Sequence, residues 1–191
     1  PDGIGYAGYM DGMHLIINTP TKAIVSGDIM SLLYPSKSQN TNVIPKDLCF
    51  LKLFKGAQNI DIDENFKMSA TGLTSGCYES IFEGCTSLTR VPELPATVTV
   101  GGDYGSAFVG CTNIRSAIVN AEVLSSHAID HMFYGCSNLD YIKVYARDWN
   151  TETATDWVSG VSPTGTFVKP AGVDIPRGTN GIPEGWNVEE F

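Results

Sequence analysis

FEGCTSLTRV (82–91), FVGCTNIRSA (108–117) and FYGCSNLDYI (133–142) are three copies of one ten-residue phrase, and FKGAQNIDID (54–63) is a worn fourth. Aligned on Phe54, Phe82, Phe108 and Phe133, the copies are spaced by 28, 26 and 25 residues. Two positions after the ring stand Gly56, Gly84, Gly110 and Gly135, followed at once by Ala57, Cys85, Cys111 and Cys136. Three residues further on come Ile60, Leu88, Ile114 and Leu139. A period of this length is the signature of a solenoid. One unit cannot bury its apolar face alone, but stacked units share a continuous core.

The match extends backwards from the ring. Leu53, Ile81, Ala107 and Met132 stand one residue before it. Phe50, Tyr78, Tyr104 and Ile129 stand four before, and Cys49, Cys77, Asp103 and Ala128 five before. Apolar residues at −5, −4, −1, 0 and +3 fit one face of a 3.6-residue period, so one or two helical turns are expected here. Between them, Lys52, Ser80, Ser106 and His131 fill a polar slot at −2. The glycine at +2 suits the left-handed conformation that ends a helical turn.

The residues downstream of the Gly-Cys pair read as strand. In NLDYIKVYA (138–146), Leu139, Ile142 and Val144 are apolar with Asp140 and Lys143 between them, and in SLTRV (87–91) Leu88 and Val91 take the first two of those roles. Asn59, Asn113 and Asn138 share one slot, with Ser87 as the exception. A short polar side chain there can bond the backbone where the chain bends. VPELPATVTV (91–100) reads as a second extended run in which the prolines lack an N–H to donate. Cys85, Cys111 and Cys136 are expected as an interior ladder of small thiols. Cys49 and Cys77 fall at another equivalent position, where strand spacing does not exclude a disulfide, although reduced, buried thiols are expected.

The remaining composition bounds the function. At 191 residues the chain suits one domain, and a net charge of −9 without a Lys/Arg cluster argues against nucleic acid and anionic membranes. No run approaches the ~18 apolar residues of a transmembrane helix. The chain starts at Pro1 without a leader, which says little, since leaders are removed. Residues 1–27 are expected as an N-terminal strand pair and cap, built from MHLIINTP (13–20) and KAIVSG (22–27). Residues 28–147 form the solenoid of four or five coils, with DIMSLLYP (28–35) as a degenerate first coil. Residues 148–191 form a C-terminal cap carrying Trp149, Trp157 and Trp186, with TATDWVSGV (153–161) as a helical turn and GTFVKP (165–170) as a strand.

FEGCTSLTRVPELPAT and FYGCSNLDYIKVYA resemble the repeat of the BspA-like leucine-rich-repeat family of bacterial surface proteins, over residues 25–150. The segment DWVSGV…GTFVK…GIPEGWNV resembles the closing segment of gut-bacterial members. The resemblance implies a β-rich α/β solenoid, a right-handed leucine-rich-repeat superhelix with short helical turns and terminal caps. It implies an extracellular, cell-surface location, with lipid anchoring through a region outside this chain. It also implies adhesion to an extracellular protein or glycan, and it carries over no catalytic residues. The reading is therefore a non-enzymatic binding module acting as a monomer without cofactor or metal; the alternative is a polysaccharide-binding component of a surface glycan-handling system.

Several motifs admit plainer roles than the chemistry they suggest. His127 and His131 stand one helical turn apart, but no third metal ligand has a recognisable spacing, so surface histidines are the stronger reading. DIDEN (61–65) opens like a calcium loop but has Phe66 and Gly72 where glycine and glutamate belong; a strand is the stronger reading. A glycosidase needs two facing carboxylates, for which Asp140 and Glu122 are only an example across coils. The cysteines have no paired base, and GVSPTG and GGDYG lack the features of a phosphate loop. Tyr141, Lys143, Tyr145 and Trp149, near Arg147, are the candidate ligand-binding residues, since flat rings beside polar groups suit sugars or protein partners. The rival and stronger reading is that these rings seal the coil end.

Overall fold

The computed structural model describes residues 17–34 and 42–191. They form a β-solenoid with almost no helix: 3-10 turns at Ile29–Leu32 and Thr151–Thr153 are the helical segments among the described residues. The expected overlay of repeats is present. Phe54, Phe82, Phe108 and Phe133 stack with ring centroids 5.1, 5.7 and 5.7 Å apart and planes within 16° of parallel. Phe50, Tyr78 and Tyr104 form a second ladder at 5.6 and 5.8 Å. All seven rings are buried.

The expected helical turns are not formed. Across each corner, alternate N–H groups point to different partners. Phe50, Lys52, Phe54 and Gly56 donate to carbonyls of the next lap at 2.7–3.0 Å (Cys77, Glu79, Ile81 and Glu83). Leu51, Leu53, Lys55 and Ala57 close turns onto the residue three before. An α-helix would consume every N–H inside its own segment and leave none to tie laps together. The corner is instead a ribbon of successive turns whose backbone enters the left-handed region at every fourth residue: Lys52 (φ 58°) and Gly56 (75°), Ser80 (55°) and Gly84 (76°), Ser106 (55°) and Gly110 (69°), His131 (55°) and Gly135 (74°). The glycines at +2 thus take the conformation anticipated for them. The −2 residues share it, an uncommon one for residues with a Cβ.

Asp156-Trp157-Val158-Ser159-Gly160-Val161 is a fifth copy of this corner, not a helical turn. His131, Phe133 and Gly135 donate to Thr155, Trp157 and Ser159 at 2.8 Å, and Asp156 (φ 48°) and Gly160 (76°) repeat the backbone pattern. The copy escaped the motif because valine replaces both the ring and the cysteine.

After the corner each lap extends. β1 (Ala23–Val25) pairs in parallel with β2 (Ile60–Ile62). β3 (Ser116–Val119), β4 (Tyr141–Val144), β5 (Thr166–Lys169) and β6 (Asn187–Glu190) form a four-stranded parallel sheet in that order. The anticipated strands at NLDYIKVYA, GTFVKP and within DIDEN are therefore present. Those at SLTRV and VPELP are not: between β2 and β3 the third lap forms no strand. Pro92 and Pro95 cannot donate to a ladder. The Asp61 carboxylate substitutes for part of it, accepting from Thr89 N at 3.0 Å and from Thr89 Oγ1 at 3.0–3.1 Å.

At the N-terminal end, KAIVSG supplies β1, whose partner is β2 and not the preceding segment. Ile17 N already donates to Leu53 O at 2.7 Å, so Ile17 is already part of the first lap. DIMSLLYP supplies the 3-10 turn, capped by Asp28 accepting from Met30 N at 2.9 Å. The remainder of the expected strand pair, at residues 13–16, lies outside the described residues, as does Pro35. At the other end Trp149, Trp157 and Trp186 donate their indole N–H groups to the carbonyls of Asn180, Gly181 and Ser162 at 2.8–3.0 Å. Each ring thereby covers apolar surface while its polar edge is satisfied.

Candidate functional site

The outward face of β4 gathers three of the four candidate residues. Along Tyr141–Val144 the burial alternates, with Ile142 and Val144 inside and Tyr141 and Lys143 half-buried outside. Tyr145 follows with its backbone tied to Val119 O at 3.1 Å. Lys143 Nζ lies 4.9 Å from the centroid of the Tyr145 ring and 4.2 Å from that of Phe191. The two rings meet edge-on at 5.2 Å. An ammonium over two aromatic faces is held by their quadrupoles, so among the described residues the side chain is positioned without an acidic partner. Register places Ile118 and Val168 on either side of Lys143, and Ser116 and Thr166 on either side of Tyr141.

Trp149 does not belong to this face. Its ring packs on Trp157 at 5.3 Å and its N–H is bound to Asn180, so it has the sealing role. Arg147 is held by Glu122 at 2.6 Å, which also occupies that carboxylate. Phe191 is the participant that sequence reasoning missed. It enters through the β5–β6 pairing and the bond from Phe191 N to Lys169 O at 3.2 Å, and nothing in the local sequence announces it.

On either side of the strandless third lap lie two grooves. One, of about 470 Å³, runs beside β2 and includes Asp63, Lys67, Arg90 and Glu93. The other, of about 420 Å³, lies between Val91–Glu93 and β3 and is lined also by Asn120 and Tyr145.

The other singled-out residues have structural positions. Cys85, Cys111 and Cys136 donate their thiols to the carbonyls of Phe54, Phe82 and Phe108, one lap back, at 2.9–3.1 Å. All five cysteines are buried and remain thiols. Burial pushes Cys85 and Cys136 up to about 12 and Cys49 up to about 11, and drives Cys77 and Cys111 well up too, so none supplies a thiolate at neutral pH. His127 Nδ1 lies 2.7 Å from Asp130, whose other oxygen accepts from Thr155 N; His131 leans on Tyr134. Asn59 and Asn138 bond the backbone as anticipated, but on the neighbouring lap, at Thr19 O and Thr112 O. Asp103 is buried, which raises its carboxyl to about 6 although one oxygen accepts from Val100 N; among the described residues the other oxygen and the Tyr78 and Tyr104 hydroxyls have no hydrogen-bond partner.

No family model, curated protein or solved structure matches the chain. Among the described residues no helix is long and apolar enough to cross a membrane.

Proposed function

We propose that this chain is a non-enzymatic binding module that presents one face of its solenoid to an extracellular protein or glycan. The observation that supports the reading is the outward cluster of Tyr141, Lys143 and Tyr145 with Phe191: rings and a cation held together on a sheet, the first three half-buried and Phe191 exposed. Side chains fixed on a sheet lose little entropy when a partner docks, which favours binding. The chain's negative charge favours neutral or basic partners.

On the motif FxGC[ST]x[LI] in its recurring frame, the chain is further read as a BspA-like leucine-rich-repeat protein, right-handed in its coil, acting as a monomer on the outside of a bacterial cell. The turn-ribbon corner is then this chain's own version of the repeat. The test is a screen of host matrix proteins and glycans against the purified chain and a Tyr141→Ala/Lys143→Ala variant. A partner held by the parent and lost by the variant supports the reading. Partners that bind both equally, or turnover of a bound glycan that one acid substitution abolishes, would overturn it.

A further inference from the structure

Among the described residues, the groove between the third lap and β3 leaves several surface polar groups unspent. Tyr141 N and Tyr145 N donate to Arg115 O and Val119 O, so the odd-numbered backbone groups of β3 serve β4. By the alternation of a parallel ladder, Ser116 and Ile118 turn their N–H and C=O toward Val91–Glu93, and that segment returns no hydrogen bond. Glu93, Ser116 and Asn120 also line the groove, and among the described residues their side chains bond to nothing. Tyr145, half-buried, also lines it.

We propose that this groove is a subsite for a neutral saccharide, with Tyr145 as its stacking platform and Glu93, Ser116 and Asn120 as its hydrogen-bonding partners. The inference rests on the binding-module reading and gives it a ligand class. Sugar hydroxyls both donate and accept, which matches a wall that mixes carboxylate, amide, hydroxyl and free main-chain groups, and a sugar's C–H face packs on an aromatic plane. A volume of about 420 Å³ is within the usual range for small-ligand sites. No Lys or Arg lines the groove, and Glu93 would repel carboxylate or sulfate groups, which sets neutral sugars ahead of acidic ones. An added peptide strand fits less well: it draws on alternate main-chain groups along an edge, and β3 offers this groove only Ser116 and Ile118.

Calorimetry and saturation-transfer NMR with cello-, manno-, malto- and xylotetraose test the assignment on the whole chain. At least one sugar should bind, and its affinity should fall by about tenfold or more in Asn120→Ala and in Tyr145→Ala. Tyr145→Phe should keep most of the affinity, and Tyr134→Ala, exposed and outside both the groove and the β4 face, should keep all of it. Circular dichroism checks that each variant is folded. Sugar binding that survives Asn120→Ala but is lost in Tyr141→Ala overturns the groove and leaves the binding-module reading intact. Binding of only acidic saccharides, or of an extended peptide in place of any sugar, overturns the ligand class. Failure of every sugar, while a matrix protein binds through Tyr141 and Lys143, also sinks the inference and spares the module.

Discussion

Phe108→Ala tests the stacking on which the fold rests. The ring is fully buried, with Phe82 on one face and Phe133 on the other, each 5.7 Å away between centroids. Truncating a buried phenylalanine costs ~3–5 kcal/mol. This site should reach the upper half of that range, because two stacked contacts worth ~0.5–1.5 kcal/mol each are lost together. The laps above and below are tied by backbone bonds (Phe108 N to Met132 O at 3.0 Å, Phe82 N to Ala107 O at 2.8 Å), so they cannot collapse into the gap. Against a total stability of ~5–15 kcal/mol, the loss is large. A urea titration followed by far-UV circular dichroism measures it, with Phe108→Leu as a milder variant should the alanine protein not fold. Tyr134, whose side chain is exposed, serves as the control, and Tyr134→Ala should change stability by no more than ~0.5 kcal/mol. A Phe108→Ala protein as stable as the Tyr134→Ala control would refute the aromatic ladder.

Gly110→Ala should cost ~1–2 kcal/mol, wholly from forcing a Cβ into the left-handed region at φ 69°, since nothing lies within 4 Å of the added atom; an unchanged denaturation midpoint would contradict the turn ribbon. Cys111→Ser should cost only ~1 kcal/mol, because the hydroxyl inherits the Phe82 carbonyl that the thiol now reaches at 3.0 Å; a loss above ~3 kcal/mol would mean that no acceptor is there. Asp103, with its carboxyl raised to about 6 from an ordinary 3.8, binds its proton more tightly folded than unfolded. Its contribution is therefore full below pH ~4 and lost as pH rises through about 6, on the order of 2–3 kcal/mol. The stability difference between parent and Asp103→Asn proteins should move by that amount across the window, and a flat difference would refute it. With native protein, a thiol reagent at pH 7 should label the cysteines only as fast as the protein unfolds, and prompt labelling would show that the ladder is not sealed.

Part of the candidate site is legible in the chain alone. Tyr141, Lys143 and Tyr145 alternate along a strand, and period-two alternation puts them on one face whatever the rest of the chain does. Trp149 lies beyond that strand and its direction depends on what packs there; the Trp157 ring and the Asn180 carbonyl take it to the coil end. Phe191 reaches Lys143 only because β6 lies two strands over in the sheet. The second groove is set by Pro92 and Pro95 disrupting one lap between two that pair normally, which neither proline could announce by itself.

Recurrence in the chain was enough to determine that laps stack, which rings overlie which, and that the cysteines line the interior. Identical side chains at a fixed period can be buried together only by superposition. The corner's backbone was not so determined. Pairs of apolar residues every four positions look the same over two turns of helix as over a ribbon of tight turns, and the two differ only in where the N–H groups go. Half of those partners sit on the next lap, about 25 residues away in sequence, and only the assembled solenoid brings them within bonding distance.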